Sequence, residues 1–423
     1  MASGPLNGVR VLEFTQIIAG PLGCQLLADL GADVVKVEPP HGEPWRLQGQ
    51  FIPLESKTFQ SLNRGKRSLA IDVAHPKSQE AIHRLVREVD VVVINYRPDV
   101  ARRLHIDDET LRALKPDLVY VDNTAFGRNG PWADRPGYDI VVQAASGLMS
   151  GVGKVDEHGT PLVPPAFADY TTGYSIALGT CAALFHRALT GEGQLVETSL
   201  LVNALTLQGT QFMSLPAGDA TQRAEFMQAL ERARKRGTSY ADFLKEREVI
   251  LRVGAAGNIY YRAFLTKDGA IAIGALSASL RAKVRAVLGV DHNRDEPDYN
   301  AADPAQQARD RELTERVEAQ IRAQTSAHWE QAFERGGVPV SPVHFTQELL
   351  DHPQITENGY VLRLEHELTG EQVMVGPAWR MSATPPTPER ASPPLGRDTD
   401  DILVGAGYSE AEIAAMRAEG AIR

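Results

Sequence analysis

Residues 9–38 read VRVLEFTQIIAGPLGCQLLADLGADVVKVE, and this stretch decides the fold. Residues 9–14 and 34–38 are short runs with β-branched side chains, which predicts two strands. Residues 22–30 carry apolar side chains at helical spacing, and Pro21 stands where the first position of a helix favours proline. A strand, a helix and a second strand joined by short links predict a parallel βαβ unit.

The same alternation continues outward from this unit. Residues 91–95, VVVIN, are nearly all apolar, as expected of a strand buried on both faces. Further strands are predicted at 68–73, 118–123 and 194–199, and helices at 76–89, 110–114, 139–146, 171–189 and 200–212. The pattern predicts an α/β fold with a doubly wound, Rossmann-like parallel sheet in a large domain.

The second half of the chain has a different composition, which predicts a smaller α+β domain. Residues 217–252 are rich in Arg, Lys, Glu and Ala and resemble solvated helices. The other expected elements are a hairpin with strands at 260–264 and 270–273, a loop at 291–310, helices at 312–323, 327–335 and 409–418, and an extended segment at 385–394. Ser409 and Glu412 form a capping-box pattern.

Composition excludes several classes of protein. The chain has 423 residues, which is enough for two or three domains. Its composition, with 43% hydrophobic and 23% charged residues, is typical of a globular protein. A formal charge of −10, from 44 Lys and Arg against 54 Asp and Glu, argues against a nucleic-acid-binding protein. Cys24 and Cys181 lie far apart, which argues against a disulfide framework. We expect no signal peptide, no membrane span and a cytoplasmic location.

The first βαβ unit also suggests a dinucleotide-binding protein. Glu38 ends the second strand, where a ribose-binding acid would stand. However, the loop reads TQIIAGPLG and lacks the GxGxxG pattern. An NAD-dependent oxidoreductase therefore remains a disfavoured alternative.

Basic side chains are concentrated in two places. Both places, residues 64–67 (RGKR) and the group of Arg97, Arg102 and Arg103, are most simply a solvated surface. Asn95, Tyr96 and Arg97 directly follow a predicted buried strand, and ligands of parallel sheets bind at the carboxyl ends of strands. An aromatic ring and guanidinium groups at that edge suit an adenine nucleotide with its phosphates.

Asp169 lies just before a long apolar helix. The simpler interpretation is a helix N-cap, and the alternative is a nucleophilic carboxylate. The histidines show no HxxxH or HExxH spacing and no GxSxG motif occurs, so neither a metal site nor a serine hydrolase is predicted.

Taken together, these segments resemble the class III CoA-transferase family, which includes formyl-CoA transferase and carnitine CoA-transferase. The resemblance extends over most of the chain in the family's order and is poor at 217–310. The matching stretches are 9–46, 63–73, 91–104, 125–149, 168–200, 337–343 and 393–403.

The resemblance implies a set of site residues. Asp169 resembles the nucleophilic aspartate of the family. The resemblance implies that CoA moves from an acyl-CoA to a free carboxylic acid, and that an aspartyl anhydride and then an aspartyl-CoA thioester form on this residue. The positions implied to contact CoA or the active-site loops are Gln16, Ile18, Ala19, Ile71, Asp72, Val73, Ala74, Asn95, Tyr96, Arg97, Arg103, Tyr138 and Asp139. CoA enters as a thioester substrate, and no permanently bound cofactor is implied.

The chain departs from formyl-CoA transferase at several positions. Pro39 and Ala74 replace basic residues, Ile18 replaces glutamine, and residues 254–258, GAAGN, are the nearest segment to its glycine-rich flap. The apolar Ile17 and Ile18 favour an acyl group larger or less polar than formyl or oxalyl.

The family also implies an architecture and a rival activity. Its fold is an interlocked homodimer, with a large domain at 1–222, a small domain at 223–332 and a segment at 333–423 that returns to the large domain. Related α-methylacyl-CoA racemases carry a histidine base where this chain has Tyr138. Tyrosine is a poor base near neutral pH, which favours the transferase. A catalytically inactive CoA-binding subunit is a third possibility, against which the intact Asp169 argues.

Overall fold

The computed structural model describes residues 4–251, 258–291, 295–297, 299–300 and 303–423. The chain divides into two units, one formed by Met1–Ser214 with Glu357–Arg423 and the other by Leu215–Thr356. The domain boundaries suggested by the sequence, after residues 222 and 332, both fall inside helices of the second unit. Residues 254–257 of the predicted flap segment lie outside the described residues.

Six parallel strands form the main sheet of the first unit, in the order β5-β2-β1-β6-β7-β8. The first eight strands are β1 (Arg10–Phe14), β2 (Asp33–Glu38), β3 (Gln50–Ile52), β4 (Glu55–Ser56), β5 (Arg67–Ala70), β6 (Val91–Ile94), β7 (Val119–Thr124) and β8 (Leu195–Ser199). The strand order reverses at β1, which pairs with both β2 and β6. Strands β3 and β4 form a separate antiparallel ribbon.

Helices cover both faces of this sheet. The helices of the first unit up to residue 212 are α1 (Ala19–Asp29), α2 (Pro44–Leu47), α3 (Lys57–Gln60), α4 (Pro76–Val86), α5 (Pro98–Arg103), α6 (Asp108–Leu114), α7 (Asp139–Ala145), α8 (Leu148–Val152), α9 (Phe167–Thr190), α10 (Leu200–Leu207) and α11 (Gly209–Phe212). Alternate strand residues face opposite cores: Leu12 packs with Ile82 of α4, whereas Val11 packs with Ile176 of α9. This confirms the predicted α/β fold with a parallel sheet.

The second unit is built from helices and a small antiparallel sheet. Its elements are α12 (Pro216–Arg236), α13 (Tyr240–Ile250), β9 (Tyr261–Leu265), β10 (Ala270–Gly274), α14 (Ala278–Leu288), α15 (Pro304–Arg322), α16 (Ser326–Arg335), β11 (Val340–Pro342) and a 3-10 turn at Thr346–Leu349. Helix α17 (Pro353–Glu357) ends at the boundary between the units. Trp329 and Phe333 of α16 pack against Phe264 and Ile271 of the sheet.

The last part of the chain returns to the first unit. It contains β12 (Val361–His366), β13 (Gly370–Val375), α18 (Thr399–Gly405) and α19 (Glu410–Ala418). Residues 396–423 run along the outer edge of β5, where Thr399 Oγ1 accepts the Ala70 N–H at 3.1 Å and Arg423 N–H donates to the Ala70 carbonyl at 3.1 Å. The capping box of Ser409 and Glu412 is present.

Three expectations about local structure were wrong. Helix α1 begins at Ala19, so Pro21 occupies its third position, where the absent N–H costs no intrahelical bond. Gly20 allows this early start, because a Cβ there would lie 2.3 Å from the Thr15 Cβ. The predicted helix at 200–212 is interrupted at Gln208, and the predicted loop at 291–310 already contains the start of α15 at Pro304.

Candidate active site

A cleft of about 390 Å³ opens where β1, β6 and β7 end. This is the edge of a parallel sheet at which ligands bind, beside the strand where the order reverses. The predicted site residues that line it are Gln16, Asn95, Tyr96, Arg97, Tyr138 and Asp169. Residues separated by more than 150 positions in sequence therefore meet in one place.

Asp169 is the third residue of α9, and its residue surface is only 7% exposed. It is not the N-cap: that position belongs to Ala166, so the simpler interpretation from sequence was wrong. Within the described parts of the chain, no cation forms an ion pair with the Asp169 carboxylate. Two causes raise the pKa of Asp169 to about 7: burial is the larger, and the nearby Asp139 carboxylate is the smaller. The carboxylate is thus ready to ionise near neutral pH without being neutralised by a partner.

Asp139 connects α7 to the beginning of α9. One of its carboxylate oxygens accepts the backbone N–H of Asp169 at 3.0 Å, and the other accepts a hydrogen bond from Gln143 Nε2. Gln143 Nε2 also donates to the Pro165 carbonyl at 2.9 Å. This arrangement satisfies one of the free amides at the start of α9 and fixes where Asp169 stands.

The loop after β1 forms another wall of the cleft. The Asn95 side chain accepts the Gln16 N–H at 3.2 Å and donates to the Gln16 carbonyl at 2.9 Å. Ile17 has a left-handed backbone, with φ of 74°. Asn123, at the end of β7, is 4% exposed, and its side-chain oxygen accepts no hydrogen bond from the described residues. The cleft therefore presents both apolar and hydrogen-bonding groups.

The other predicted site residues lie outside this cleft. Ile18 is the N-cap of α1 and Ala19 its first residue, the Asp139 carboxylate accepts the Asp169 N–H, and Arg103 is exposed on α5. Residues 71–74 follow β5, where Ile71 forms a β-bridge with Ile422. Their contacts with CoA remain predictions.

The structure agrees with one electrostatic interpretation from sequence and contradicts another. Glu38 offers no free carboxylate to a ribose, because Arg46 holds it with bonds of 2.7 and 2.9 Å, in agreement with the disfavoured place of the NAD-dependent oxidoreductase. Arg64 and Lys66 are only 2% exposed, so the 64–67 cluster is not simply a solvated surface. Arg64 pairs with Asp29 at 2.6 Å and Lys66 with Glu13 at 2.8 Å.

The sequence analysis missed three polar residues of this region. Gln143 stands four residues after Asp139 on α7, so helical spacing alone could have revealed it. Asn123 ends a predicted strand, which was a usable signal. Glu43 accepts the Ile17 N–H at 2.8 Å, but its place in an irregular loop gave no pattern to recognise.

Comparison with known proteins assigns the chain to a family. Residues 6–399 match the family model described as CoA-transferase family III. The chain belongs to this family. This CoA-transferase is 31% identical over 422 residues to the succinyl-CoA:glutarate CoA-transferase of Mus musculus, covering 99% of this chain and 90% of the mouse protein. It is 32% identical over 421 residues to the formyl-CoA:oxalate CoA-transferase of Rhodopseudomonas palustris, covering 98% and 97% respectively.

Solved structures agree with this assignment. The CoA-transferase chain matches Rv3272 from Mycobacterium tuberculosis with a TM-score of 0.74 and 27% identity, over 95% of this chain and 100% of the other. It matches a CAIB/BAIF family protein from Brucella suis with a TM-score of 0.73 and 26% identity, over 96% and 100%. Among the described residues, none of the helices has both the length and the apolar character that crossing a membrane requires.

Proposed function

We propose that this CoA-transferase moves CoA from an acyl-CoA thioester to a free carboxylate through covalent intermediates on Asp169. The observation that carries the proposal is a buried carboxylate with no cationic partner among the described residues, in a cleft at the carboxyl ends of the strands. An acyl-transfer nucleophile of this kind must be ionised, accessible and not neutralised by a salt bridge. A pKa of about 7 meets the first condition near neutral pH.

The reaction then needs no water and no net proton. The Asp169 carboxylate attacks the thioester carbonyl, the C–S bond breaks, and an aspartyl–acyl anhydride and CoA thiolate form. The thiolate attacks the aspartyl carbonyl, which releases the donor acid and leaves an aspartyl-CoA thioester. The acceptor carboxylate attacks that thioester and expels the thiolate. The thiolate then attacks the acceptor's acyl carbonyl, giving the new acyl-CoA and free Asp169.

Water must be kept from these intermediates, since both the anhydride and the thioester hydrolyse. Burial of Asp169 in the first turn of α9, next to Asp139 of α7, serves this purpose. Arg97, Asn95 and Tyr96 at the mouth of the cleft are the groups we assign to CoA, with Arg103, Ile18, Ala19 and residues 71–74 as further contacts. The reaction uses CoA as a substrate and, in this proposal, no permanently bound cofactor.

A matrix of acyl-CoA donors and carboxylic acid acceptors, read by mass spectrometry, tests the activity. Succinyl-CoA with glutarate and formyl-CoA with oxalate are the first pairs, because the named relatives carry those substrates. Longer or less polar acids extend the matrix, since Ile17 lines the cleft. We expect at least one pair to exchange CoA. Racemisation of a 2-methylacyl-CoA without transfer would select the racemase alternative.

A trapping experiment tests the covalent route. Wild-type protein incubated with acyl-CoA and then hydroxylamine should carry a hydroxamate at Asp169, and Asp169→Asn should carry none. Calorimetry with CoA and with NAD provides a further control. Binding of NAD without binding of CoA would contradict the proposal and favour an oxidoreductase.

We also propose a homodimer located in the cytoplasm. One face of α9 exposes large apolar side chains at helical spacing, namely Tyr170, Tyr174, Leu178, Phe185 and Leu189. Contiguous apolar surface of this kind is typical of a protein interface. Light scattering should give twice the chain mass, and Leu178→Glu should shift the protein toward monomer. A wild-type monomer at micromolar concentration would contradict this part of the proposal.

A further inference from the structure

The loop that faces Asp169 contains an unfavourable backbone conformation. Ile17 has a φ of 74°, and the other non-glycine residues with positive φ in the described ranges are Leu54 and His105. A β-branched residue rarely adopts this conformation, because its side chain crowds the backbone. Such a residue persists only when its surroundings hold it, and such sites are concentrated around functional clefts.

Two buried charged side chains hold this loop from behind. Glu43 Oε2 accepts the Ile17 N–H at 2.8 Å, and Glu43 Oε1 lies 2.9 Å from Lys36 Nζ. Lys36 Nζ also donates to the Thr15 carbonyl at 2.9 Å and lies 3.1 Å from Glu13 Oε1. The side chains of Lys36 and Glu43 are 0% and 3% exposed. The two groups thus fix the backbone on either side of Gln16.

We propose that Glu43 is a positioning residue of the transfer reaction, which acts through the Ile17 amide. By holding Ile17 in the left-handed conformation, it places Gln16 and Ile17 against the cleft that contains Asp169. The expected effect of Glu43 on kcat rests on the proposed function, whereas its effect on the conformation of the loop does not. The Glu43 carboxylate does not line the cleft itself, and its effect on substrate passes through the loop.

The Glu43→Gln substitution weakens this support with little change in size. The carboxylate contacts Ile17 and Lys36 with two different oxygens, whereas an amide has one oxygen and one NH2 group, so one of the two contacts would set a donor against a donor. We expect kcat for CoA transfer to fall roughly 10- to 100-fold, with a smaller change in KM for CoA, because a displaced loop misaligns the reacting groups. Amide hydrogen exchange in the peptide that spans 15–22 should become faster.

Glu55→Gln is the matched control. Glu55 is 1% exposed and belongs to the same buried charge system, where it contacts Arg46 at 3.5 Å and Gln60 at 2.9 Å. It has no hydrogen bond to the loop. This variant should lose stability in thermal melts, yet keep wild-type kcat and wild-type exchange at 15–22. Equal kinetic losses in both variants would overturn the inference, because Glu43 would then act through general stability.

A double-mutant cycle tests whether Glu43 acts through Ile17. Glycine adopts positive φ freely, so Ile17→Gly should make the loop less dependent on Glu43. Adding Glu43→Gln to Ile17→Gly should therefore change kcat by much less than Glu43→Gln changes it alone. If the two substitutions lower kcat independently, so that their fold-changes multiply in the double variant, Glu43 does not act through Ile17.

Two further measurements apply if Glu43→Gln does not fold or the wild type is inactive. If Glu43→Gln does not fold, Ile17→Pro is the second variant: it lacks the amide N–H and fixes φ at about −65°, so it loses both the bond to Glu43 and the left-handed conformation. Full transfer activity in that variant would overturn the inference. If the wild type transfers no CoA, the proposed function is wrong, but amide hydrogen exchange still tests the role of Glu43. Faster exchange at 15–22 in Glu43→Gln than in the wild type would show that Glu43 positions the loop. Unchanged exchange at 15–22 would overturn loop positioning whatever the activity.

Discussion

Two regions beneath and beside the cleft bury charge in opposite ways. In the first, between β1, β2 and the following loops, each carboxylate has a cation within reach, as Glu13 has Lys36 and Lys66. Burial alone would raise the pKa of Glu13, but the two lysines outweigh it and lower the pKa. In the second, Asp169 and Asp139 lie together without a cationic partner among the described residues, and burial raises the pKa of Asp169 to about 7.

This difference distinguishes carboxylates that stabilise the fold from a carboxylate that is suited to react. A paired buried charge is expensive to disturb and unreactive, because its partner neutralises it. An unpaired buried carboxylate destabilises the folded chain, and proteins retain such groups where a reaction needs them. Paired carboxylates should therefore control stability, with Glu43 affecting turnover only through its bond to the Ile17 amide, and Asp169 should control turnover directly.

The largest expected effect is that of Asp169→Asn on transfer. The amide cannot form the anhydride, so we expect kcat to fall at least ~10³-fold, with the covalent route lost. Steady-state assays with the best substrate pair measure it. Substantial remaining turnover would show that the mechanism is wrong, and Asp139 would be the next carboxylate to test.

The second prediction takes a carboxylate from the paired region. Glu38→Gln leaves Arg46 without its bidentate partner in a fully buried place. Breaking such a pair typically costs about 3–5 kcal/mol, which denaturant unfolding would measure. Turnover per folded molecule should stay at the wild-type level, since Glu38 neither lines the cleft nor bonds to the loop after β1; its side-chain hydrogen bonds come from Arg46 and Ser68. A specific loss of turnover would remove the distinction between the two regions.

The third prediction concerns pH. Asp169 must be ionised to attack, so kcat/KM should fall about tenfold per pH unit below a midpoint set by its pKa of about 7. In Asp139→Asn the like charge is gone, and the midpoint should move to lower pH. A profile that is flat from pH 5 to 8 would contradict the assignment.

The last prediction concerns thermal stability. The pKa of Asp169 is raised from 3.8 to about 7, so the folded chain binds this proton more tightly than the unfolded chain. Ionisation of Asp169 therefore costs stability as pH rises through this interval. Asp169→Asn removes the cost, so its Tm should match wild type near pH 4 and exceed it above pH 7. A Tm difference that does not vary with pH would contradict this.

The fold was predictable because its signals are local and repeated. The apolar run of β6 and the spacing in α1 follow from residues that are neighbours in sequence. Element ends were less predictable, since contacts such as that of Gly20 with Thr15 involve close approaches that no periodicity reports.

The sequence predicted several residues that line the cleft, among them Asp169 and the strand-end Asn95, but not the electrostatics of the site. Asp169 and Asn95 stand in segments of distinctive sequence. By contrast, Arg64 and Lys66 resemble a surface cluster until Asp29 and Glu13 are brought beside them by folding. Whether a charge is paired depends on residues distant in sequence, and pairing is what distinguishes the two regions.

The covering of β5 by residues 396–423 has a consequence for how the chain is made. Ser68 donates its amide to Asp398, across 330 positions of sequence. As the chain leaves a ribosome, the outer edge of β5 stays uncovered until these late residues appear, and uncovered strand edges pair readily with other chains. Folding of the first unit also waits for contacts of very long sequence separation, which slows it. Expression at lower temperature, with affinity tags placed away from residue 423, should therefore raise the yield of properly folded protein.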